Sequence, residues 1–294
     1  MLIAASAVDP ALTWNLLADV RAALQYPFMV NAFRAGTVVA VLSAAVGWFM
    51  VLRRQVFAGH TLAVVGFPGA AGAVLVGVSA GYGLFAFAVA AAVTIALVPA
   101  AAGVGSGQES AVTGTVQAFA LACGFLFLSL YGGFEGAYAL LFGSFLGITE
   151  HQVWVLLAVA ATALAILTAM ARPLLFASVD PAVAAARGVR VRALSVGFLV
   201  LLGLAAASVA QITGTLLVFA LLVVPAATAQ TLTARPVASL ALAVILAVTV
   251  TWAALLGGYY SSYPIGFYLT TFSFIPYVAA GVWTRARRSA AGAR

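Results

Sequence analysis

Residues 29–52 read MVNAFRAGTVVAVLSAAVGWFMVL, and Arg53 and Arg54 follow at once. Arg34 is the one charge in the stretch. A helix needs about 20 apolar residues to cross the hydrocarbon core of a bilayer. The segment therefore predicts a spanning helix closed by a basic pair. Working outward, comparable runs lie at 60–80, 82–102, 112–131, 152–171, 192–210, 212–230, 236–257 and 265–284, with Pro, Gly or charge in most of the gaps. The pattern predicts an all-α, polytopic membrane bundle of about nine transmembrane helices.

Composition agrees. Of 294 residues, 65% are hydrophobic and only 6% charged, against roughly 25% charged in soluble domains. Most of the surface must face lipid. Three regions follow: an N-terminal segment, 1–28; a transmembrane domain, 29–284; and a basic tail, 285–294. From Asp9 to Gln25, Trp14, Leu16, Leu17, Val20 and Leu24 alternate with Asp19 and Arg21, as in an amphipathic helix lying on the membrane surface. The first residues lack the basic start and apolar run of a cleaved signal peptide.

All 13 basic residues are Arg. Arg53, Arg54, Arg172, Arg187, Arg190, Arg192, Arg235, Arg285, Arg287, Arg288 and Arg294 fall on one side of a nine-span topology. By the positive-inside rule that side is the cytoplasm, so the N-terminus is outside and the C-terminus inside. The opposite side holds Asp9, Asp19, Arg21, Glu135, Glu150 and His151. This asymmetry accounts for the net charge of +7 without a nucleic-acid partner. The single Cys123 excludes an internal disulfide or a thiolate cluster.

Several residues stand out within the spans. Arg34, two turns inside the first, is either a functional intramembrane charge or a side chain that snorkels to the headgroups. In the second span, Gly66 with Ala70 and Gly69 with Ala73 share faces that admit a close neighbour, and Pro68 frees a backbone carbonyl. The seventh span has Gly214 near its start and Pro225 near its end, where a hinge or a static packing kink is expected. Tyr259, Tyr260, Tyr263 and Tyr268 form an aromatic belt or a substrate-facing ring. Between Pro173 and Arg192, Ser178 or Asp180 reads as an N-cap and Pro181 as a first turn. Ala182–Ala186 and Arg187 form a short helix that Gly188 stops. This element is a docking surface or a simple connector.

No phosphate loop, dinucleotide fingerprint, HExxH or nucleophile elbow is present. The ionisable groups at or near the spans are Arg34, His60 and Glu109, too few for the ion or proton relay of a secondary carrier. The chain supplies a route through lipid without a power source of its own.

Four stretches, in order, are similar to one family. They are VLRRQVFAGHTLAVVGFPGAAGA at 51–73, ALLFGSFLGIT at 139–149, FASVDPAVAAARGVRV at 176–191 and GTLLVFALLVVPAATA at 214–229. The chain resembles, from about residue 29 to 284, the permease subunits of metal-ion (zinc, manganese or iron) ABC importers. The resemblance implies a type II importer fold and a homodimeric core in the bacterial inner membrane. It also implies separate ATPase subunits that hold ATP and Mg, an extracytoplasmic metal-binding protein, and zinc or manganese as cargo. No cofactor is expected on this chain, and it is expected not to be an enzyme. The third stretch is similar to the coupling helix that meets the ATPase, and it carries Ser178, Asp180, Pro181, Ala182, Ala186, Arg187 and Gly188. Gly214 and Pro225 are the implied gate or hinge, and His60 is the implied metal contact.

One departure matters. The family commonly places an Asp or His at the position of His60 and a His four residues later, where this chain has Val64. One imidazole is too few ligands for a stable zinc or manganese site, although two copies of His60 could meet across a dimer axis. Weak, transient coordination or a cargo other than a free ion, such as a metal chelate, are the alternatives. A passive channel or secondary carrier is the third. Glu150 and His151 read as docking or solvated residues.

Overall fold

The computed structural model describes residues 15–97, 106–131, 141, 143 and 145–292. Asp9, Trp14, Glu135, Arg294 and the 98–102 end of the third expected span lie outside these, as do the side chains of Leu16, Leu17, Glu109 and Arg288. Bilayer hydrocarbon offers no partner to a backbone amide, so a crossing chain must satisfy its amides within itself, which a helix does. Helices accordingly dominate: α1 (Leu16–Leu24), α2 (Pro27–Leu52), α3 (Val56–Val64), α4 (Gly66–Leu75), α5 (Ala80–Leu97), α6 (Ser106–Tyr131), α7 (Glu150–Val179), α8 (Pro181–Ala186), α9 (Val191–Thr213), α10 (Val218–Leu222), α11 (Val224–Leu232), α12 (Pro236–Tyr259) and α13 (Ile265–Gly292).

Among the described residues, eight helical stretches are long and apolar enough to cross a membrane. The seventh expected span is instead a shorter, broken helix over Val218–Leu232. Its first residues form the end of α9 and a turn. The chain is a multi-pass membrane protein.

Two spans are broken, each near a proline. α3 gives way to α4 at Val65, three residues before Pro68, which has no N–H for the carbonyl four residues back. α10 gives way to α11 at Val223 (φ −103°, ψ −52°), and Pro225 sits in the first turn of α11. A proline costs nothing in a helix's first turn, because the first amides have no internal acceptor.

The fifth span differs from expectation in length. α7 continues through Pro173 to Val179, for 30 residues, so the segment after Pro173 begins as helix and not as loop. At 1.5 Å per residue it measures about 45 Å, half as long again as a hydrocarbon core of about 30 Å. α8 follows directly from its C-terminal end. α13 similarly extends through the basic tail to Gly292.

Helix α2 is the hub, packing against α7, α9, α11 and α12. Of its most apolar window 72% is buried, and 61% in α9, against 22% in α6 and 17% in α13. The first pair forms the core and the second the rim, where Phe125, Phe274 and Val282 face outward.

Side-chain bonds tie the helix ends into two layers. At one end Trp48 donates to Ser239 Oγ (2.9 Å) and Gln230 donates to the Trp48 carbonyl (2.7 Å). At the other, Asn31 donates to the Ile148 carbonyl (3.3 Å) and Tyr260 to the Asp19 carbonyl (2.8 Å). The Tyr26 ring lies 6.1 Å from that of Tyr259, and Tyr268 donates to Ser261 Oγ at 2.9 Å. The tyrosine cluster and the arginine-rich turns therefore occupy opposite ends.

Candidate translocation site

At its arginine-rich end α2 passes into α3 through a tight turn. Arg54 takes a left-handed backbone (φ 58°), uncommon for a residue with a side chain. α3 then presents His60, half-buried, to an open cavity of about 650 Å³ lined by Arg54, Val56, Phe57, His60 and Phe219. The His60 ring stands edge-on to Phe219, centroids 5.6 Å apart. Val64, one turn further on, is 7% exposed and faces the protomer interior. The neighbouring Thr61, buried, donates to Gln117 Oε1 on α6 at 2.8 Å and ties α3 to that helix.

Among the described residues no three His, Cys, Asp or Glu side chains gather at one point. His60 therefore offers one ring nitrogen beside the Arg54 guanidinium, with no carboxylate in the cavity lining. A single imidazole is too few ligands for a stable divalent-ion site. Cys123, a free thiol on α6, is elsewhere.

The second assembly lies at the same end. Asp180 caps α8, its Oδ1 accepting from the Val183 amide at 2.9 Å. Pro181 occupies the first turn. Gly188, at φ 82°, closes the helix. Its amide donates to Ala185 O (2.9 Å) and the Val189 amide to Ala184 O (3.0 Å), the paired bonds of a Schellman stop. Pro181, Ala182, Ala186, Arg187 and Gly188 are exposed, while Ala184 is buried. Ser178 belongs to α7, where its hydroxyl bonds back to the Leu174 carbonyl, so the N-cap role falls to Asp180 alone.

Sequence reading missed the tie between these two assemblies. Arg53 donates through Nη1 to Ser178 Oγ (3.3 Å), through Nη2 to Ser195 Oγ (2.8 Å) and through Nε to Gln55 Oε1 (3.2 Å). Its guanidinium lies 5.4 Å from the centre of the Phe198 ring. One rigid fork thus joins both flanks of the Asp180–Gly188 segment to the residue that caps α3. The basic pair was visible in the sequence; its distant partners were not.

Gly214 caps the C-terminal end of α9 and abuts Gly143, both with left-handed φ (77° and 78°). The Leu216 amide donates to Leu141 O at 3.2 Å. Leu141 and Gly143 are therefore seated on the turn that opens the broken helix, where a Cβ on either glycine would strike the other segment's backbone. Pro225 lies one helical piece further along. Arg34, Glu150 and His151 are exposed, away from the His60 cavity.

A family model described as the ABC 3 transport family matches residues 25–283. The chain belongs to the ABC 3 transport family.

Other proteins are similar to it over most of its length. The manganese import system permease protein ScaB of Streptococcus parasanguinis is 28% identical over 205 residues, covering 70% of this chain and 72% of the relative. The manganese transport system membrane protein MntC of Halalkalibacterium halodurans is 29% identical over 239 residues, covering 81% and 80%. The solved structure of PsaBC from Streptococcus pneumoniae in complex with Fab superposes with a TM-score of 0.79 at 23% identity, over 90% of this chain and 94% of that one. The fold is that of a type II ABC-importer permease, and the resemblance carried by the four ordered stretches is borne out.

Proposed function

We propose that this ABC 3 protein is the membrane permease of an importer for a transition-metal ion, manganese or zinc. Two copies form the pathway, and separate ATPase subunits drive it. The Arg53 fork carries the proposal. It joins the Asp180–Gly188 flanks to the start of the His60 helix, so a force applied to α8 reaches the cavity wall through hydrogen bonds. In this reading α8 is the coupling helix, and ATP and Mg stay on the partner. An extracytoplasmic binding protein delivers the metal at the tyrosine-rich end. The arginine-rich end faces the cytoplasm of a bacterial inner membrane, with the N-terminus outside and the C-terminus inside.

His60, Phe57 and Phe219 face the axis between copies in this reading. Phe57 is 44% and Phe219 38% exposed beside the cavity, apolar area that a second copy would cover. Two symmetry-related imidazoles would touch the ion in passing. Gly214 and Pro225 flank the piece of chain that gates the route.

A metal chelate is the second reading, favoured by Arg54. This cation lines the same cavity as His60, where it repels a bare divalent ion and attracts an anionic complex. Proteoliposomes holding this chain and its ATPase, given radioactive manganese, zinc or their citrate chelates, separate the two. ATP-dependent uptake of free metal supports the first, uptake of chelate alone supports the second, and uptake without ATPase removes both.

A further inference from the structure

A groove of about 500 Å³ opens between α2, α7 and α12, near the ends at which α2 and α7 begin. Arg34 comes from α2 and Trp252 from α12. α7 supplies Glu150, Val153, Trp154 and Leu157, whose spacing puts them on one helix face. Amid apolar side chains the lining carries two opposite charges, Arg34 and Glu150, and the hydroxyl of Thr37. Among the described residues neither side chain makes a hydrogen bond or an ion pair, including with the other. The Trp252 N–H is already used, donating to Thr37 Oγ1 at 2.9 Å, and its ring is braced edge-on by Phe33 at 5.8 Å. Trp154, 62% exposed, stands at the mouth, the depth that indoles favour at a membrane interface.

A guanidinium two turns inside a spanning helix needs an anion or water. Its long side chain can snorkel out to a lipid phosphodiester, which Arg binds through parallel N–H donors. Glu150 opens α7 and so lies nearer the aqueous surface than Arg34. A phosphate contacted by Arg34 would present its headgroup amine toward Glu150. Below them, Val153 and Leu157 form an apolar wall parallel to an acyl chain.

We propose that this groove is a site for one phosphatidylethanolamine molecule, with its phosphate on Arg34 and its ammonium on Glu150. The order of charges selects the class. Phosphatidylcholine offers the phosphate, but its trimethylated nitrogen has no N–H to donate to Glu150. Phosphatidylglycerol offers no cation. Neither satisfies both ends of the groove.

Native mass spectrometry of the full-length chain, released from micelles holding equal phosphatidylethanolamine, phosphatidylcholine and phosphatidylglycerol, tests the site. Wild type should retain one phosphatidylethanolamine per protomer, preferred about tenfold over phosphatidylcholine, the factor one charge-assisted hydrogen bond supplies. Arg34→Gln should lose retention of all three, and Arg34→Lys should restore it in part. Glu150→Gln should keep a lipid but lose the preference. Added phosphatidylethanolamine should raise the melting temperature of wild type and not of Arg34→Gln, which separates lost binding from failed folding. Equal retention of the three lipids by wild type, or unchanged retention by Arg34→Gln, overturns the proposal. So would a groove that takes no lipid and is covered by a protein partner.

Discussion

The Arg53 guanidinium donates to Ser195 Oγ at 2.8 Å, across the gap between the end of α2 and the first turns of α9. The same group holds Ser178 on α7 at 3.3 Å. The two serines bracket the α8 segment, so one side chain grips both of its stems. Arginine suits this task because its planar fork fixes several acceptors at once, where lysine offers a single point of charge.

Arg53→Lys should therefore cost more transport than its conserved charge suggests, and Arg53→Ala more still. With each hydrogen bond to a charged donor worth about 1.5–3 kcal/mol, loss of the fork should slow ATP-driven uptake by tenfold or more. ATPase binding should survive, since α8 itself is intact. ATPase activity in proteoliposomes, measured together with uptake, distinguishes uncoupling from lost assembly.

Gly188 gives a purely conformational test. A Cβ there meets nothing within 4 Å, yet φ is 82°. Gly188→Ala should cost about 1–2 kcal/mol of left-handed strain, and Gly188→Val more, because β-branched residues tolerate that region least. Gly188→Asn should be nearly silent. Uptake should fall in the order Asn, Ala, Val while membrane insertion, read by fluorescence-detected chromatography, stays level.

Gly143 and Gly214 have no such space. Each combines a left-handed φ with the backbone of the other's segment against its Cα. Gly214→Ala and Gly143→Ala should destabilise by about 1–3 kcal/mol for overpacking, plus the strain. Lower melting temperatures in detergent for both variants check this. The double variant should be less than additive, because either substitution alone separates the shared contact.

His60→Ala should reduce metal uptake severalfold while leaving ATPase binding unchanged. Val64→Ala should reduce it little, since that side chain faces the protomer interior. Radioactive metal uptake at subsaturating concentration gives the comparison.

The spans were legible because lipid imposes a length and a composition on every crossing helix. The start and stop of α8 were legible too, as Asp180, Pro181 and Gly188 act on their immediate neighbours. Breaks were harder to place. Pro225 announced a discontinuity, but nothing local put it at Val223. Pro173 suggested a helix end, yet α7 runs through it, because α9 and α2 pack against α7 and hold it helical. The seventh span proved short because its first residues complete α9 and seat Leu141 and Gly143. Contacts such as Arg53 with Ser195, Trp48 with Ser239 and Gly143 with Gly214 join residues distant in sequence. Their partners are chosen by packing, and no local pattern encodes them.

Cross-linking tests the coupling role of α8 most directly. Val183, exposed on α8, is replaced in a Cys123→Ala background as Val183→Cys and reacted with a bifunctional thiol reagent in the presence of the ATPase. A cross-link to the ATPase, with a yield that changes when ATP is bound and hydrolysed, is the result expected. Failure to cross-link while the ATPase still drives metal uptake would contradict the account.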